Sequence, residues 1–206
     1  MAASFAAAAF SQIAPPSWWN VDDGNTTSHG WTFDDENDPF FDSVGLNPWG
    51  DPEPNIVGNV NHDDNTGEMV IGPATSGESS FGFTIRNHER QNWVKEFWWQ
   101  MVVRIEGSSW FTYVSYPIGT NLDYWTTTEF TDLGNGYYRY TAVGQFSPQP
   151  EWEGFGLGVD EGTGTTLTVD SMYFGTHCTP VPEPMTMTLA GLALAGAARR
   201  RMRKGA

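Results

Sequence analysis

Cysteine occurs once in 206 residues, at Cys178, so no disulfide can form within the chain. That thiol is expected in an exposed segment ahead of the C-terminal tail, open to an intermolecular disulfide or to modification. Basic residues are scarce as well. Lys and Arg number 10 against 25 acids, and the first 85 residues contain neither. Half of the ten (Arg199, Arg200, Arg201, Arg203 and Lys204) lie beyond residue 198. The other five (Arg86, Arg90, Lys95, Arg104 and Arg139) stand against all 25 acids, so the chain ahead of the basic cluster carries −20 where the whole chain carries −15. Such a body repels phosphate backbones, which excludes nucleic acid as a partner. The four histidines (29, 62, 88 and 177) show no H-x-H or H-E-x-x-H spacing, which argues against a zinc centre. Also missing are a G-x-S-x-G elbow, a Walker loop and a dinucleotide fingerprint.

What the chain does have is 30 aromatic residues, 23 glycines and 13 prolines, the composition of short strands joined by turns. The clearest element is 92–106, NWVKEFWWQMVVRIE. Trp93, Lys95, Phe97, Trp99, Met101, Val103 and Ile105 share one face, apolar except for Lys95; the other face is mixed and expected to be partly wet. Period two over this length predicts a long strand. Further strands are expected at 55–61, 68–71, 80–85, 110–116, 137–146, 155–159 and 165–174, with Gly-Asn-Gly at 134–136 and Gly-Thr-Gly at 162–164 as turns. About eight strands with short turns predict an all-β fold, a β-sandwich spanning 18–178. Ahead of the strands, aromatics and prolines alternate with Asp and Asn. This part reads as an extended segment whose rings pin it across a sheet.

The tail has three parts: Val181-Pro182-Glu183-Pro184, then 14 uncharged residues (185–198), then a basic cluster (199–204). The prolines end any strand or helix. As a helix the apolar part spans about 21 Å, short of the roughly 30 Å hydrocarbon core. Snorkelling by Arg199, Arg200, Arg201, Arg203 and Lys204 lengthens the anchor, and the positive-inside rule puts this membrane stop in the cytoplasm.

This order resembles the PEP-CTERM sorting signal of bacterial exosortase substrates. The resemblance covers 179–206 and implies processing at Val181, Pro182, Glu183 and Pro184 by an exosortase, a membrane protease-transpeptidase. It further implies a short C-terminal transmembrane helix that is removed, and a body released or attached at the cell surface, often alongside exopolysaccharide. Export calls for a signal peptide at the other end. Residues 1–17 offer an alanine-rich apolar run without a basic n-region, and the reading is a truncated export segment whose true start lies upstream.

Two stretches, LGNGYYRYT (133–141) and GTGTTLTVDSMYFG (162–175), resemble jelly-roll domains of the carbohydrate-binding-module type. In that family an acid of the last strand sometimes helps hold structural calcium; Asp170 takes that position, although Ser171 stands where a second acid often follows. Acid clusters at Asp22 and Asp23, at 34–38, and at Asp63 and Asp64 supply the oxygen ligands that calcium takes. The alternative is solvated acidic turns. For stacking on sugar rings the best candidate is Trp98, with Tyr113 and Trp125 behind it. A carboxylate pair for glycoside hydrolysis, Glu96 with Glu151 or Glu153, has no local motif to single it out. Three functions result. The first is a non-enzymatic surface or matrix protein, the second a lectin-like module with polysaccharide as partner, and the third a polysaccharide-degrading enzyme.

Overall fold

In the computed structural model the chain is an antiparallel two-sheet sandwich, described here over residues 25–33, 44–47, 50–87 and 93–181. The described strands are β1 (Thr26–Trp31), β2 (Val44–Leu46), β3 (Glu53–Val57), β4 (Val60–Asp63), β5 (Glu68–Ile71), β6 (Ser79–Arg86), β7 (Trp93–Glu106), β8 (Phe111–Ser115), β9 (Asn121–Gly134), β10 (Tyr137–Ser147), β11 (Trp152–Val159) and β12 (Thr166–Pro180). The larger sheet runs β2-β1-β12-β7-β10-β9, with β5 also on β12 and β4 on β5; the smaller runs β3-β6-β11-β8. Among the described residues no helix is long and apolar enough to cross a membrane, and the tail helix expected at 185–198 lies outside them.

The expected alternation places the core. Phe97, Trp99, Met101 and Val103 of β7 point between the sheets and are buried. They meet Phe81, Phe83 and Ile85 of β6 and Phe155, Leu157 and Val159 of β11, each again at every second residue. Aromatic contacts join the layers. Phe155 of the smaller sheet lies 4.4 Å from Phe174 and 4.9 Å from Phe97 of the larger, and Phe83 lies 4.6 Å from Trp31. Room for these rings is made locally: a Cβ at Gly144 of β10 would collide with the Phe97 ring.

The second face of β7 is partly wet as expected, at Glu96 and Arg104, but covered in its middle, where Trp98, Gln100 and Val102 are buried. Three expectations are corrected. The single strand expected at 55–61 is two strands in different sheets, split at Gly58, whose φ of 69° suits glycine. β9 was not expected, since NLDYWTTTEFTDLG lacks steady alternation. It is an edge strand, mostly exposed, with register shifts against β10 that break the period. Finally, Cys178 is buried. It sits within β12, opposite Lys95 of β7, because that strand continues past Phe174 to Pro180.

Candidate functional site

The last described residues place the tail. β12 is paired with β7 along its length, the final pair being Pro180 with Trp93. One residue later Val181 is 46% exposed. β12 therefore ends where Val181-Pro182-Glu183-Pro184 begins, and a following proline has no N–H to continue the ladder. The chain carries a PEP-CTERM protein-sorting motif. It matches residues 180–204, so the sorting motif begins on the last residue of β12 and takes in the whole basic cluster. No curated protein and no solved structure matches the chain. Pro182, Glu183, Pro184, Arg199, Arg200, Arg201, Arg203 and Lys204 lie outside the described residues, as do Asp22 and Asp23.

The sorting motif marks the chain for export, transient membrane anchoring and processing by an exosortase. What it delivers is the sandwich, and the three stacking candidates fall at three different places on it. Trp98 is corrected: on the outer face of the larger sheet its ring is only 1% exposed, 5.4 Å from Tyr173. A ring so covered presents no face to a sugar. Trp125 points inward instead, against Phe97 and Trp99, each 6.2 Å away. Tyr113 is different. It lies half-buried on the outer face of the smaller sheet, where Gly82 of β6 and Gly156 of β11 have no side chains. A Cβ at Gly156 would collide with the Tyr113 ring, so that ring rests flat on a glycine floor. Phe111 lies beside it at 6.3 Å, over Gly158. The hydroxyl of Tyr113 is bonded to Ser80, and burial raises its pKa.

The acid clusters turn to separate partners. Asp63 Oδ1 accepts from the backbone N–H of Asn65 at 3.0 Å and from its side-chain amide at 3.1 Å, which holds the carboxyl below its usual range. Asp64 contacts Nδ1 of His62 at 2.9 Å, Glu68 accepts from the Tyr137 hydroxyl, and Asp170 accepts from Ser171 at 3.1 Å. Among the described residues no three His, Cys, Asp or Glu side chains stand together as a metal site. Of the suggested hydrolytic pairs, Glu96 and Glu153 do not share a cleft: Glu96 lies on the outer face of the larger sheet and Glu153 is fully buried between the sheets. Glu151 is exposed, just ahead of β11.

Glu153 belongs to a cluster that sequence reasoning did not assemble. Lys95 Nζ donates to both Glu153 Oε1 and Asn87 Oδ1, and Asn87 Nδ2 donates to Glu153 Oε2. Lys95 and Glu153 have no exposure and Asn87 has 9%. Each continues a core face by one more step of two: Asn87 after Phe81, Phe83 and Ile85; Lys95 before Phe97 and Trp99; Glu153 before Phe155 and Leu157. The lone cation on the apolar face of 92–106 was the signal. Its partners were hidden because Asn87 and Glu153 stood just outside the strands expected at 80–85 and 155–159. Nearby, His29 of β1 is buried with neither ring nitrogen hydrogen-bonded. Burial lowers its pKa to about 4, with Asp51 opposing and Lys95 reinforcing the shift.

Proposed function

We propose that this chain is a non-enzymatic surface or extracellular-matrix protein whose sandwich is the delivered cargo and whose tail is removed on arrival. The observation that supports this reading is the sorting motif at 180–204, which starts as the last strand ends. An exosortase then has an exposed junction beside a folded body. The basic cluster stays on the cytoplasmic side as a stop, and the acidic body lies outside. With 24 acids against five basic residues ahead of Pro182, a net −19, the freed body suits a hydrated, anionic matrix, where like charge keeps it soluble. Replacing Glu183 and Pro184 by Ala is expected to trap the uncut chain in the membrane fraction. Normal processing of that variant would refute the assignment.

One observation favours a second reading, a lectin-like module that binds extracellular polysaccharide. Tyr113 on its glycine floor, with the tilted ring of Phe111 beside it, is an aromatic platform backed by a sheet, suited to the apolar face of a sugar ring. The test is a glycan array probed with the wild-type chain and with Tyr113→Ala. Signal lost in the variant supports the reading; signal unchanged removes this face as the site.

A further inference from the structure

We propose that Lys95 and Asn87 become joined by an intramolecular isopeptide bond, with Glu153 carrying the protons that the condensation moves. The three side chains have the arrangement this reaction needs. The nucleophile, Lys95 Nζ, touches the carbonyl oxygen of the Asn87 carboxamide, so the electrophilic carbon lies one C=O bond further on, about 1.2 Å. One carboxylate bridges both ends of the exchange: Glu153 Oε1 contacts the attacking nitrogen and Glu153 Oε2 contacts the nitrogen that must leave. Proximity of this kind replaces a bimolecular encounter with a fixed one.

The Asn87 carboxamide is held on its other side too. Its Nδ2 also donates to the Pro150 carbonyl at 3.1 Å, and its backbone N–H donates to the Glu151 carbonyl at 2.9 Å. Each side chain therefore arrives from a strand or strand end that cannot swing away: Lys95 from β7 of the larger sheet, Asn87 and Glu153 from β6 and β11 of the smaller. Around them are apolar neighbours on the same faces, Phe97, Ile85 and Phe155, and Phe146 and Cys178 stand opposite Lys95 in the two adjoining strands.

The chemistry balances without a cofactor. Glu153 takes a proton from the Lys95 ammonium and leaves a neutral amine. The amine lone pair attacks Cγ of Asn87, and a C–N bond forms to Nζ. The Cγ–Nδ2 bond then breaks as the carboxyl delivers that proton to Nδ2, ammonia departs, and the carboxylate so restored takes the second proton from Nζ and keeps it. The product is a secondary amide linking residues 87 and 95, with nothing oxidised or reduced. The first transfer is favoured by the surroundings. Burial penalises both charged forms, and it raises the pKa of Glu153 although Lys95 opposes the shift. A buried ion pair becomes an amide and an acid, both neutral, and the two sheets gain a covalent tie at one end. In a chain with one cysteine no disulfide could supply it.

The test is a tryptic digest of the purified full chain, read by tandem mass spectrometry. Cleavage is expected after Arg86, Arg90 and Arg104 and blocked at Lys95. The result is a branched peptide of 87–90 joined to 91–104, lighter than the two together by one ammonia. Release of linear 91–95 and 96–104 from the wild-type chain would overturn the proposal, and because it is read on the wild type, no misfolded variant can confuse it. Glu153→Gln, with near-ultraviolet circular dichroism matching the wild type, should give the linear peptides. A branched peptide from that folded variant would overturn the role given to Glu153. The outcome is independent of tail processing.

Discussion

His29 should make the sandwich lose stability below neutral pH, and the size of the effect follows from its surroundings. The imidazole is 2% exposed and has no hydrogen-bond partner on either nitrogen, so charging it in place is costly. Its pKa falls from 6.5 to about 4 on folding. The unfolded chain then binds more protons than the folded one between these values, and stability rises with pH across that window. The contribution is complete above pH 6.5 and is lost progressively as the pH falls toward 4. Between pH 7 and pH 5 the loss comes to about 2 kcal/mol, since each tenfold difference in proton affinity is worth about 1.4 kcal/mol. His29→Phe removes the titration while keeping a ring beside Trp31, 6.1 Å away. Urea midpoints of wild type and variant at both pH values isolate the effect, because the other titrating groups are common to both. The wild type should lose about 2 kcal/mol more than the variant. At pH 7 the variant should be equal or more stable, having lost two unpaired buried polar atoms. Equal losses in the two proteins would refute the reasoning.

Two further outcomes test the packing. Burial holds the Cys178 thiol up at about 11, so a thiol reagent at pH 8 should react at least about 100-fold more slowly with folded than with urea-unfolded chain; comparable rates would place the thiol at the surface. Gly156→Ala puts a methyl group into the Tyr113 ring and should cost about 1–3 kcal/mol in urea unfolding. In a Tyr113→Ala background the cost should largely vanish, and an undiminished cost would show that the ring does not rest there.

The strands were legible where one rule governed both sequence and packing. In β7, β6 and β11 every second residue is apolar because it faces the other sheet, and the expected strands fell on the observed ones to within a few residues. Legibility failed where neighbours set the environment. Trp98 is covered on the outer face, with Tyr173 of the neighbouring β12 against it, a contact across strands that no local pattern encodes. β9 escaped notice because an edge strand with bulges is under no pressure to alternate. Cys178 was misplaced because β12 was expected to stop at Phe174, whereas Thr176 and Cys178 carry on its inner face as small or weakly polar residues.

The candidate sites divide the same way. The sorting motif is a contiguous stretch with a fixed order, so reading the chain from end to end suffices to find it. The Lys95, Asn87 and Glu153 cluster joins two side chains 58 residues apart, and Tyr113 needs glycines on two other strands. Such sites become visible only when register is known, since register decides which residues stand level across the sheets. A polar residue that extends an apolar alternation by one step, as Lys95 does, is the sequence-level trace they leave.

The most direct measurement is the C-terminal residue of the protein recovered outside the cell, determined by mass spectrometry of its last peptide. Processing at the sorting motif predicts an end near Pro182-Glu183-Pro184, with the basic cluster at 199–204 gone and the sandwich intact through Pro180. An extracellular form that still carried Arg199 to Lys204 would contradict it.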